Sequence, residues 1–131
     1  MEAAQIPRAR PVRVLIADDE PLFVETVQAL LQDDDRVEVV GTAADGEEAV
    51  KLARSLEPDV ILMDISMPTL DGIEAARKIR EHVPAARILV LTGSSISADV
   101  NRSRQAGVGA FLTKDRLGTQ LLDAILELGS S

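Results

Sequence analysis

The chain has 131 residues, a length that suits one domain with its own core. Its formal net charge of −8 repels phosphate backbones, so direct nucleic-acid binding by this chain is disfavoured. With no cysteine and a single His82, disulfides, thiolate metal sites and histidine-built metal sites drop out; with Phe23 and Phe111 as the only aromatics, the core must come from Val, Ile, Leu and Ala.

The first eleven residues carry Arg8 and Arg10 but no apolar stretch, so they read as a flexible arm rather than a signal peptide, with Arg13 continuing it into the first strand. No apolar run approaches the length of a membrane span, and a soluble cytoplasmic protein is expected. Val12–Ala17 is the first apolar run, and Asp18-Asp19-Glu20-Pro21 follows it. Phe23, Val27, Leu30 and Leu31 then fall on one face of a helix. Asp33-Asp34-Asp35 reads as a solvated loop. Val37–Gly41 alternates in polarity, as an edge strand does, and leads to Thr42 and Ala43.

Asp45 with Glu48 has the pattern of an N-cap and a back-reaching acid, and Ala49, Leu52, Ala53 and Leu56 give the next helical face. Pro58 marks the turn into Val60–Met63, which ends at Asp64. Asp71 with Glu74 repeats the capping pattern ahead of a third helix, after which His82 reads as a surface residue. Pro84 precedes Ile88–Leu91, which ends at Thr92. A segment from about 97 to 106 reads as a helix stopped by Gly107; Val100 is its one large apolar residue, so little holds it to the body. Ala110–Leu112 is the fifth run, Lys114 stands just beyond it, and Leu117, Leu121, Ile125 and Leu128 form the last helical face.

Strands alternating with helices argue for an α/β domain with a doubly wound five-stranded parallel sheet. Runs such as VLIA, VILM and ILVL are continuous, as strands covered on both faces are. The domain is expected over residues 12–128, with 129–131 as the start of a linker or tail.

In such sheets the crevice lies beyond the carboxyl ends of the strands, where the strand order reverses. Asp18, Asp19, Asp64, Thr92 and Lys114 all stand at strand ends. An aspartate there is commonly a turn residue or a helix cap. The joint placement is what points to chemistry. Carboxylates sharing a pocket need a cation among them, and an all-oxygen set suits Mg2+ or Mn2+. A lysine and a hydroxyl beside them can hold phosphoryl oxygens, and an aspartate can itself be the covalent acceptor. No glycine-rich phosphate loop follows the first strand, which disfavours nucleotide or flavin binding.

The ordered set Asp18-Asp19, Asp64, Met67-Pro68, Asp71-Gly72, Thr92 and Lys114, with the stretch VILMDISMPTLDGIEAARKIR, resembles the receiver domain of bacterial two-component response regulators. The resemblance covers roughly Val12 to Leu128. It implies a CheY-like sheet of order 2-1-3-4-5, a phosphorylation-activated signalling switch rather than an enzyme, and Asp64 as phospho-acceptor. It further implies metal ligation by Asp19 and Asp64, by Asp18 largely through water, and by the backbone carbonyl of Ser66. Lys114 and Thr92 would contact the phosphoryl group, and Phe111 matches the aromatic switch position that would respond to Thr92. Ser66 and Ser94 occupy positions that tune water access in the family. Asp115 stands where many receivers have proline, which resembles the NarL/LuxR-type subgroup. That subgroup implies a sensor histidine kinase as donor, a helix-turn-helix output domain beyond this chain, and possible homodimerisation on phosphorylation. Two alternatives compete: a Mg2+-dependent phosphatase of haloacid-dehalogenase type, which would want Asp-x-Asp after the first strand, and a docking module that is never phosphorylated.

Overall fold

The computed structural model describes residues 10–65, 72–92, 110–114 and 117–129, with Thr92, Leu117 and Thr119 described through their backbone. The described elements run β1 (Val12–Ala17), α1 (Pro21–Gln32), β2 (Val37–Ala43), α2 (Gly46–Leu56), β3 (Val60–Asp64), α3 (Gly72–His82), β4 (Arg87–Thr92), β5 (Ala110–Thr113) and α4 (Leu117–Gly129). All five strands are parallel, in the order β2-β1-β3-β4-β5. This is the doubly wound sheet the continuous apolar runs predict, with the alternating β2 at an edge. The segment from 97 to 106, Gly107, and the Asp71 cap lie outside the described residues.

Strand periodicity sorts the core into two halves. Val14 and Ile16 of β1, Val60 and Leu62 of β3, and Leu89 and Leu91 of β4 pack with Val27 and Leu31 of α1 and Leu121 and Ile125 of α4. Their neighbours Leu15 and Ala17, Ile61 and Met63, and Ile88 and Val90 pack with Ala49 and Ala53 of α2 and Ala75, Ala76 and Ile79 of α3. Each fully buried Leu, Ile or Val contributes about 1.5–3 kcal/mol. The aromatic-poor sequence thus fills both layers with aliphatic side chains and alanine. On α1 the expected apolar face is narrower than its spacing suggests. Val27 and Leu31 are buried, with Phe23 and Val24 partly buried against the same core half, but Leu30 is 44% exposed, at the edge of that face.

Local signals set the helix ends. Asp45 accepts a hydrogen bond from the Glu48 amide (2.8 Å), and the Glu48 carboxylate accepts one from the Ala44 amide (2.8 Å), closing the first turn of α2. Replacing Asp45 with alanine is expected to cost about 1 kcal/mol, read as a lower urea midpoint at unchanged slope. At its other end α2 stops on Glu57, whose φ of 48° is left-handed.

Arg10 and Arg13, at the entry to the first strand, are tied to the segment that follows α2. Arg13 lies in β1, and its guanidinium donates to the carbonyls of Leu56 (2.8 Å) and Glu57 (3.1 Å), satisfying the end of α2. Asp59 accepts from the Arg13 amide (2.9 Å) and from Arg10 (3.1 Å). Arg8 lies outside the described residues.

In the acidic run, Arg36 donates to both Asp34 oxygens (2.9 and 2.7 Å). Those bonds lower the Asp34 pKa from 3.8 to about 2. A carboxylate depressed in the fold stabilises it above its unfolded pKa and loses that contribution as pH falls through the folded value. Asp34→Asn is therefore expected to lower the thermal midpoint at neutral pH, with the difference from wild type closing between about pH 4 and pH 2.

Candidate functional site

The sheet delivers two aspartates to one place. The Asp18 amide donates to the Ala43 carbonyl (2.9 Å), so the β1–β2 ladder runs on beneath it. Asp64 ends β3 opposite Leu91, and the Ile65 amide donates to the Leu91 carbonyl (3.1 Å), so pairing with β4 continues past the acid. Both carboxylates are held by ladders rather than by a loop. They are the buried charged side chains among the described residues, 2% and 5% exposed. Asp18, Asp19 and Asp64 each offer a carboxylate oxygen within 4.8 Å of the others.

The turn after β1 performs two functions. Asp18 Oδ1 accepts from the Glu20 amide (2.8 Å), an Asx-type turn that leads into Pro21 at the first position of α1. The turn reading of Asp18 and the site reading are therefore both true: one oxygen shapes the backbone, and Oδ2 faces the cluster.

Lys114, just past β5, is the cation of the site. Its Nζ lies 2.9 Å from Asp18 Oδ2, 2.7 Å from Glu20 Oε1 and 3.8 Å from Asp64 Oδ1. It also sits 4.2 Å from the centre of the Phe23 ring, in cation–π range. Burial pulls the Lys114 pKa down, but the hydrogen bond to Glu20, the close contact with Asp18 and the charge of Asp64 outweigh it, and the net shift is upward. The lysine is firmly charged. The hydrogen bond and charge of Lys114 lower the Glu20 pKa.

Among the described residues one ammonium stands with the carboxylates of Asp18, Asp19, Glu20 and Asp64, so this group is anionic. Asp18 Oδ2 is fully buried and, although close to the ammonium, receives no well-directed hydrogen bond. A hard cation bound to oxygens answers both deficits, and these residues fit one. A cleft of about 380 Å³ opens beside Asp18 and Asp19 between Pro21, Thr42 and Glu48.

The structure therefore brings together Asp18, Asp19, Asp64 and Lys114. Phe111, half-buried on β5 opposite Val90, packs instead against the core half formed with α2 and α3. Thr92 is the last residue of β4, in register with Thr113, but its side chain lies outside the described residues, as do Ser66, Ser94 and Asp115 entirely. Glu20 and Phe23 are the contacts that sequence alone did not assign to the site. Glu20 adjoins the acid pair, but only the fold carries it to Lys114, 94 positions away.

A 2-1-3-4-5 parallel sheet with a buried aspartate pair and a lysine at its carboxyl edge defines the class of CheY-like α/β domains. Residues 14–126 match the family model of the response regulator receiver domain, and the chain belongs to that family. It is 40% identical over 120 residues to the nitrate/nitrite response regulator NarP of Escherichia coli, covering 92% of this chain and 56% of that one. A receiver-domain structure of NarL from Mycobacterium tuberculosis superposes with a TM-score of 0.89 at 36% identity, covering 94% of this chain and 99% of that one. A LuxR-family response regulator from Aurantimonas gives 0.86 at 35% identity, covering 92% and 86%. The domain is thus a receiver of the NarL/LuxR type of two-component response regulator, and the phosphatase alternative is not favoured. The chain spans about half the length of the curated relatives it matches. Among the described residues no helix is long and apolar enough to cross a membrane.

Proposed function

We propose that this receiver is switched by phosphorylation of Asp64. The observation that carries the reading is a 5% exposed aspartate, fixed at the end of the central strand, with two carboxylates and an ammonium converging on it. An Asp64 carboxylate oxygen attacks the phosphorus of a phosphohistidine on a sensor kinase, or of a small acyl phosphate. The new O–P bond forms as the donor's bond to phosphorus breaks, and the leaving imidazole or carboxylate keeps that electron pair. Asp18, Asp19 and Asp64, with the Ser66 carbonyl, would hold Mg2+ or Mn2+. When bound, the ion offsets the carboxylate charge and that of the incoming phosphoryl oxygens. Lys114 neutralises a phosphoryl oxygen as a point charge, and the Thr92 hydroxyl donates to another. The protein contributes position and charge, assisting its own modification rather than turning over a substrate.

Incubation with acetyl phosphate, with Mg2+ or with EDTA, followed by intact-mass analysis tests this. A single phosphoryl adduct that needs Mg2+ and is lost in Asp64→Asn supports the reading. An adduct that survives the substitution would move the acceptor elsewhere, and no adduct in any condition would favour a docking module.

In the same reading Phe111 turns inward as Thr92 moves toward the phosphoryl group, and the surface around β5 and α4 changes with it. That surface would serve homodimerisation and a helix-turn-helix output domain in a longer cytoplasmic protein, beyond a receiver spanning 12–128. Phe111→Ala is expected to cost about 2 kcal/mol, below the range for a fully buried ring, and to abolish phosphorylation-dependent self-association. Sedimentation with and without beryllofluoride checks it; association at the wild-type level would remove Phe111 from the switch.

A further inference from the structure

Lys114 has three donors, and one of them is committed to Glu20 before any phosphoryl group arrives. Its shortest contact is to Glu20 Oε1 at 2.7 Å, its next to Asp18 Oδ2 at 2.9 Å. Asp64 Oδ1, at 3.8 Å, lies beyond hydrogen-bond range of the ammonium. The Phe23 ring covers another side of the cation at 4.2 Å.

Glu20 makes this contact at the expense of a local role. It stands at the N-cap of α1, where a side chain would normally accept from the first free amides of the helix. It makes no such capping bond. Its backbone is pinned by the 2.8 Å bond to Asp18 Oδ1, and its carboxylate, 64% exposed, turns toward Lys114. A pinned backbone with a solvent-facing carboxylate makes a contact that can be released without disturbing the core.

We infer that Glu20 is a latch: a positioning residue that holds Lys114 toward α1 in the unphosphorylated domain and competes with a phosphoryl group on Asp64 for the same ammonium. To reach a phosphoryl group on Asp64, from which it now stands 3.8 Å, the ammonium moves away from Glu20, so the Glu20–Lys114 contact biases the switch toward its resting state. Exposed ion pairs are individually weak, and the bias is correspondingly modest, on the order of two- to fivefold in affinity for the phosphoryl group. This inference rests on the assignment of Asp64 as acceptor.

The test is a beryllofluoride titration in Mg2+, followed by amide NMR because the chain has neither Trp nor Tyr, on the wild type, Glu20→Gln and Glu20→Asp. Gln keeps the shape without the charge; Asp keeps the charge but is one methylene too short to hold the ammonium. The latch predicts that both variants bind beryllofluoride about two- to fivefold more tightly than wild type. If only Gln tightens binding, Glu20 acts by repelling the incoming anion and the latch is overturned. Unchanged affinity in both variants overturns it equally. A wild type that neither binds beryllofluoride nor takes a phosphoryl group from acetyl phosphate overturns the acceptor assignment, and the latch with it.

Discussion

Asp64→Asn is expected to lose the phosphoryl adduct completely and yet, without divalent metal, to be at least as stable as the wild type. The first half follows from chemistry: the amide offers no carboxylate oxygen to attack phosphorus. The second follows from charge. Asp64 faces Asp18 and Asp19 within 4.8 Å and Lys114 at 3.8 Å. At an effective dielectric of 20, each repulsion is on the order of 3 kcal/mol and the attraction to Lys114 on the order of 4. Together these two repulsions exceed the Lys114 attraction, so an uncharged residue of the same shape is expected to relieve the site. Added Mg2+ should reverse the order, because the wild type gains stability by binding the ion and the variant gains less. Thermal melts in EDTA and in Mg2+ check this. A variant markedly less stable than wild type in EDTA would show that Asp64 supports the fold through contacts that outweigh the repulsion.

The parts of this site that were legible in the sequence are those fixed by strand ends. A run such as VILMD announces a strand buried on both faces, and the doubly wound rule then places Asp64 in the crevice with Asp18 and Lys114. The resemblance to receivers supplied roles, and the family match supports the class to which those roles belong. What escaped depends on distant contacts. Arg13 looks like part of a basic arm, yet it closes α2 more than 40 positions away, because parallel strands bring the start of β1 beside the end of that helix. Leu30 has the right spacing for burial and remains exposed, because spacing fixes a helical face but not how wide the sheet beneath it is. Glu20 reads as the start of a helix and fulfils that position, yet its carboxylate answers to a lysine that folding supplies.

Gly72→Ala is expected to reveal how closely the backbone behind Asp64 is packed. Gly72 opens α3, and its amide donates to the Ile65 carbonyl (3.1 Å), drawing the helix start against the end of β3. A Cβ at this position would stand 1.9 Å from the Asp64 carbonyl oxygen, 2.8 Å from its carbon and 3.0 Å from the Ile65 Cα. All three are backbone atoms, so no side-chain rotation can make room. Helix propensity argues the other way, since alanine is better than glycine by about 1 kcal/mol within a helix. Ordinary overpacking costs about 1–3 kcal/mol, and here the strain falls on two hydrogen-bonded segments that cannot repack, so the clash sets the sign. A net loss of about 3 kcal/mol is expected in urea denaturation, roughly 100-fold or more in the folded-to-unfolded ratio. The part that remains folded should phosphorylate more slowly, because relieving the clash displaces the backbone that aims Asp64 at Lys114 and its acidic partners. Gly72→Ser should behave like alanine, since the collision begins at Cβ. Stability within about 1 kcal/mol of wild type for both variants would mean that the start of α3 can retreat from β3 without cost, and Asp64 would then owe its position to the sheet alone.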